Sequence, residues 1–189
     1  KQGQDITIRE QIGKEENIPI DQIESKGFLE KWSELKDTHD FYPLLRKFKA
    51  GRTDALRLAE GKFTTKVNNK TVRTMLNLAS EDEVPIMVFV GNPGMIQIHS
   101  GPVITIRESG NWLNILDAGF NLHLRQDHIA DSWIVEKPTE DGTVTSLELF
   151  DEKGESIATF FGARKPGKPE LESWRTVIRQ VKSEEAIQK

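Results

Sequence analysis

The chain has 189 residues, 30% of them charged and 36% hydrophobic, with a formal net charge of −4, four histidines and no cysteine. That length supports one core of ordinary size, and no apolar run approaches the ~20 residues that a membrane-spanning helix needs. Without cysteine there is no disulfide framework, thiolate zinc site, iron–sulfur cluster or covalent cofactor attachment through Cys-x-x-Cys-His, and a pI near 5.7 argues against a nucleic-acid surface.

Residues 1–20 are polar, carry Gly3, Gly13 and Pro19, and read as a flexible arm or linker. Residues 21–189 form the single predicted domain. The chain starts at Lys1 with no signal-peptide pattern, so a piece of a longer protein in a reducing compartment is expected. A helix is predicted from Asp21 to Leu35 on Ile23, Phe28, Trp32 and Leu35, with Gly27 weakening it. In the next stretch, Asp37-Thr38-His39-Asp40-Phe41-Tyr42-Pro43, proline's missing amide proton places a helix start near Asp40. Asp40 then caps that helix, with Asp37 as the alternative cap that would draw His39 into the first turn. Phe41, Leu44, Leu45 and Phe48 form its buried face and Gly51 its stop. His39, on the connection, lies where the positive end of the helix dipole favours a neutral, metal-ligating imidazole.

A short helix follows over Thr53–Ala59, then a strand on Phe63, Thr65 and Val67, then a helix over Lys70–Ala79. The period then changes to two. Val84–Val90 is a continuous apolar strand, predicted to be covered on both faces. Met95–His99, Val103–Arg107, Trp112–Leu116, Phe120–Leu124, Ser132–Lys137, Thr143–Phe150 and Ile157–Phe161 follow at hairpin spacing, with Ile96 and Ile98 on one face. The last helix, Pro169–Val181, buries Leu171, Trp174, Val177, Ile178 and Val181. The fold class is therefore α+β, a large antiparallel β-sheet flanked by N-terminal helices and one C-terminal amphipathic helix.

His99 and His123 fall on the non-core parity of their strands and read, with His128, as surface imidazoles. No His-x-x-x-His, Gly-x-Ser-x-Gly or Gly-rich phosphate motif is present. Arg46, Lys47, Lys49, Arg52 and Arg57 around His39 read from charge pattern alone as a solvated helix face. Their alternative is an anion site: one soft nitrogen, several cations and apolar walls together suit an anionic iron porphyrin.

The run Asp37–Leu45 with Arg52 and Ala55-Leu56 resembles the haem-ligand segment of the bacterial haem-degrading and haem-trafficking proteins of the HemS/ChuS kind. Pro85–Gly94, Ile96–Ile98, Trp112–Ile115, Phe120–Leu124, Lys137–Thr139, Val144–Phe150 and Phe161-Gly162-x-Arg164 extend that resemblance from about Trp32 to Trp174. It implies a cytoplasmic domain, similar to the C-terminal half of a two-half protein, that binds haem (iron protoporphyrin IX) non-covalently for trafficking, storage or utilisation after uptake. It also implies His39 as the axial iron ligand, with Arg52, Lys137 and Arg164 as cleft-lining cations, and Phe161 where relatives often carry a tyrosine. The partners implied are haem, a homologous N-terminal half or a second copy of the chain, and the haem-uptake machinery, with neither nucleic acid nor membrane insertion. Oxygenase-like or reductive ring opening is the enzymatic alternative, and an interaction domain without haem function the third reading.

Overall fold

A computed structural model of the chain describes residues 17–187 other than 93 and 166. The helices are α1 (Ser25–Ser33), α2 (Phe41–Lys47), α3 (Arg52–Leu58), α4 (Thr71–Glu81) and α5 (Glu172–Ile187). The strands are β1 (Thr64–Val67), β2 (Ile86–Asn92), β3 (Met95–Gly101), β4 (Ile106–Ser109), β5 (Trp112–Asp117), β6 (Phe120–Arg125), β7 (Asp131–Thr139), β8 (Gly142–Phe150) and β9 (Ser156–Gly162). They form a six-stranded antiparallel sheet in the order β1-β7-β8-β9-β2-β3 and a three-stranded sheet in the order β4-β5-β6. The α+β class read from the sequence holds, and the strands divide between two sheets.

Side chains alternate between the faces of a strand, so each face of the large sheet has its own core. On one face Ile134, Leu147, Leu149, Ala158, Phe160, Ile86 and Val88 are buried with α4, α5 and the inner residues Leu113, Ile115 and Leu124 of the small sheet. On the other, Trp133, Val135 and Phe150 are buried with α1–α3. That second core is aromatic: Trp32 stacks on Phe63 at 5.4 Å and meets Phe28 and Phe41 edge-on, pairs each worth about 0.5–1.5 kcal/mol beyond their burial.

The α1–α3 helices lie on the β1-β7-β8 side only. Register puts Phe161, Met87, Phe89, Ile98 and Ile96 on the same face as Glu148 and Phe150, yet Ile96 and Ile98 are more than half exposed and Met87, Phe89 and Phe161 half-buried. This corrects the expectation that the strand after Val84 is covered on both faces. Only its Ile86 and Val88 side is.

Other expectations shift locally. Asp37, not Asp40, is the cap. Its carboxylate accepts from the His39 amide and the Asp40 carboxylate accepts from the Asp37 amide, a reciprocal box that winds Thr38–Asp40 into a 3-10 turn ahead of α2. The left-handed residue that ends α2 is Lys49 (φ 49°), whereas Gly51 is extended and opens α3. Helix α1 is shorter than predicted, with a separate 3-10 turn over Ile20–Gln22. Gly27 suits it, because a Cβ there would lie 2.1 Å from the capping Glu24 carboxylate. Of the expected arm, residues 1–16 lie outside the described residues, as does Pro93 of the Asn92–Gly94 turn; Ile18 donates its amide to the Lys49 carbonyl and packs on the aromatic core. Strand β4 starts at Ile106 because the Asp117 carboxylate takes the amides of Ile104 and Thr105. Leu171 is exposed and precedes α5. His99, opposite Val88, points to the core side and stacks on Phe120 at 3.8 Å, contrary to its expected solvated parity.

Candidate functional site

The turn that carries His39 is fixed from two sides. The Trp32 indole donates to the Glu136 carbonyl at 3.0 Å, and the Glu140 amide donates to the Lys36 carbonyl at 3.0 Å, tying the segment to the β7–β8 hairpin. Within it one carboxylate oxygen, Asp37 Oδ1, accepts from the His39 amide at 2.8 Å and lies 2.5 Å from His39 Nδ1. The His39 amide, and then its ring, hold the Asp37 carboxyl below the usual carboxylate range, and the Arg164 guanidinium adds to this. An ionised carboxylate only accepts, so Nδ1 bears the proton and, in the neutral ring, Nε2 keeps its lone pair. The His39 side chain is 94% exposed.

Two residues on, the ring of Phe41 enters the aromatic core and carries two cations: Arg52 Cζ at 5.3 Å and Lys137 Nζ at 4.9 Å from its centroid. Both cations belong to a buried ionic cluster centred on Glu148. Arg52 donates through Nε and Nη2, at 2.9 Å each, to the two carboxylate oxygens, while Lys137 Nζ and Ser146 Oγ donate to Oε1 at 2.9 and 3.0 Å. Burial pushes the Glu148 carboxyl up, but the attraction of Arg52 and Lys137 overcomes it and holds the group at about 2. Burial likewise pushes the Lys137 ammonium down. Two cations face one carboxylate, so the cluster keeps one positive charge in excess where solvent screens it poorly.

Lys137 Nζ also lies 5.9 Å from the Phe161 ring, which meets Phe89 edge-on at 5.4 Å. The cluster thus marks the line where the helix-covered half of the sheet gives way to the open half. Beyond that line Phe161, Met87, Phe89, Ile98 and Ile96 form an apolar wall, with the His39 turn on the helical side. Arg164, on the segment after β9, pairs with Asp141 at 3.3 Å and faces Asp37 electrostatically.

Residues 49–181 match the family described as the haemin-degrading HemS.ChuX domain. The chain belongs to this family. It is 37% identical over 155 residues to the hemin transport protein HemS of Yersinia enterocolitica, covering 82% of this chain and 45% of the relative. Its fold superimposes on apo-PhuS, a heme-binding protein from Pseudomonas aeruginosa, with a TM-score of 0.87 and 45% identity over 91% of this chain and 50% of the other. It also superimposes on ChuS, an E. coli heme oxygenase, with a TM-score of 0.81 and 38% identity over 85% and 49%. The chain spans about half the length of these relatives. ChuX, at 14% identity and a TM-score of 0.68, shares the fold and is covered over 98% of its length.

Within the HemS/ChuX match lie Arg52, Lys137, Phe161 and Arg164, while His39 precedes it. The fold brings Arg52 and Lys137 together over Phe41, sets Lys137 beside Phe161 as well, and links His39 to Arg164 through Asp37. Lys137 is buried and paired with Glu148, not open to solvent as a cleft-lining cation. Arg46 and Lys47 instead border a shallow depression with Tyr42 and Pro43 on the outer side of α2. Sequence reading missed Glu148, whose signal was a lone acid between Leu147 and Leu149 in an apolar strand, and missed the Asp37 contact to the ring. His128 is exposed in a 3-10 turn, and among the described residues no three histidine or acidic side chains cluster as a metal site.

Proposed function

We propose that this chain binds haem non-covalently in the cytoplasm, with His39 Nε2 as the axial iron ligand, as part of haem trafficking or utilisation after uptake. One observation carries the reading: the Asp37 carboxylate holds Nδ1, so in the neutral ring the other nitrogen of the exposed His39 side chain keeps a lone pair. The donor set fits a haem, whose ring needs an apolar wall and whose propionates need cations. Phe89, Met87 and Phe161 supply the wall. Arg52, its Nε and Nη2 committed to Glu148, has Nη1 for a propionate, and Arg164 stands beside Asp37 as a second cation. Lys137, from beneath, maintains the excess charge. Membership of a family described as haemin-degrading, and a neighbour described as heme-binding, support the same ligand.

Hemin titration followed in the Soret region tests this. The wild-type chain should saturate at one equivalent, and His39→Ala should lose the histidine-ligated spectrum while keeping its fold. Equal spectra for the two proteins would overturn the assignment. A second reading, haem degradation, draws on the neighbour described as a heme oxygenase. Loss of the Soret band with formation of an open-chain tetrapyrrole, on adding a reductant under air, would support it, and a stable ferrous complex would contradict it. A homologous half or a second copy of the chain covering the open face is part of the same proposal.

A further inference from the structure

We infer that Asp37 is the positioning residue of the axial histidine: it selects the tautomer of His39 and makes the ring a strong electron donor to the iron. This rests on the reading of His39 as axial ligand. The geometry is specific, because the single oxygen Oδ1 takes both the backbone amide of His39 at 2.8 Å and its ring Nδ1 at 2.5 Å. The first bond anchors the carboxylate to the peptide that carries the ring, so the acceptor is already in place when the ring takes this rotamer. The turn is itself locked by the Asp40 carboxylate, which accepts from the amides of Lys36 and Asp37 at 3.2 and 3.0 Å.

The two bonds have different consequences. Capping needs only a hydrogen-bond acceptor, and asparagine caps about as well as aspartate. Electron donation needs charge. A proton shared with an anion leaves the imidazole more basic at Nε2, so a metal there receives more electron density and its oxidised state is favoured. Partners of this kind change metal affinity roughly 10–100-fold. Arg164, the cation whose field reaches Asp37, also pairs with Asp141. In the haem complex such a contact favours the ferric state.

The test separates tautomer from charge with two variants, Asp37→Asn and Asp37→Ala. In the apo protein at about pH 8, where a reference imidazole (pKa ~6.5) is neutral, ¹⁵N NMR of the His39 ring should show the proton on Nδ1 in the wild type and in Asp37→Asn. In Asp37→Ala it should move to Nε2, a change that a purely capping role would not cause. In the haem complex reduced with dithionite, the iron–histidine stretch in the resonance Raman spectrum should fall in Asp37→Asn, the ferric/ferrous midpoint should rise, and hemin should dissociate about tenfold faster. A wild-type stretch and midpoint in Asp37→Asn, or Nε2–H in the wild-type apo ring, would overturn the inference while leaving ligation by His39 standing. His39→Ala with an unchanged iron–nitrogen stretch would overturn the axial assignment and this inference with it.

Discussion

Arg52 and Glu148 meet through paired hydrogen bonds of 2.9 Å, side by side on one buried carboxylate that also receives Lys137. Removing the carboxylate's charge leaves two cations facing each other in the core, whereas removing Lys137 leaves a neutral pair. Glu148→Gln should therefore cost about 3–5 kcal/mol and Lys137→Met clearly less. Urea unfolding at neutral pH measures both, and a Lys137→Met loss equal to or above that of Glu148→Gln would contradict the account.

The same carboxylate gives the fold an acid limb. Its folded pKa of about 2 lies below the 4.5 of an ordinary glutamate, so the unfolded chain binds the proton first as pH falls. The stabilisation is complete above about 4.5 and is lost between there and about 2, a change of about 3 kcal/mol. Glu170, which burial raises despite its bonds to Thr145, has the opposite sign and gains stability as pH falls through its window. Chemical-denaturation curves from pH 6 to about 3 should flatten in Glu148→Gln and steepen in Glu170→Gln.

Trp174 lies across Gly162. A Cβ at that position would come within 2.5 Å of the indole, which is fully buried and donates to the Thr145 carbonyl at 3.0 Å. Gly162→Ala should cost at least about 1–3 kcal/mol through overpacking. Gly119→Ala, with nothing within 4 Å, should stay within about 0.5 kcal/mol. Thermal melts of the two variants check the contrast.

Phe89 is half-buried on the open half of the sheet. If haem lies against that wall, Phe89→Ser forfeits about 1.5–3 kcal/mol of apolar contact, a rise of roughly 10–100-fold in hemin Kd, with the axial ligand unchanged. Fluorescence quenching titrations give the affinity and the visible spectrum gives the ligation. An unchanged Kd would move the ligand off this face.

Strands, the amphipathic C-terminal helix and the aromatic face of α2 were legible because periodicity reports directly on burial. The half-covered sheet was not. Val84–Val90 is apolar at every position, and such a run does not say whether its second face meets a helix or a ligand. Lys49 in the left-handed region likewise has no local signature, since Gly51 two residues on carries the usual one. At the site, His39 and Arg52 stood out as a histidine and a cation flanking a helix. Their working partners, Asp37 on the ring and Glu148 beneath the guanidinium, are set by a side-chain rotamer in one case and by a separation of 96 residues in the other. Neither leaves a pattern in the chain.

The strand order β1-β7-β8-β9-β2-β3 also prescribes an order of assembly. β7, β8 and β9 are consecutive hairpins that close short loops, whereas β2 must reach β9 from across three intervening strands and the small sheet, and β1 must reach β7 across a comparable stretch of chain. Loop-closure entropy therefore favours the Asp131–Gly162 meander as the first stable unit. Its amides should be the last to exchange with deuterium and those of β3 the first among the six strands. The apolar wall, built where late-arriving β2 meets β9, is then the youngest surface of the folded chain, finished only after the Glu148 cluster's own strands have closed.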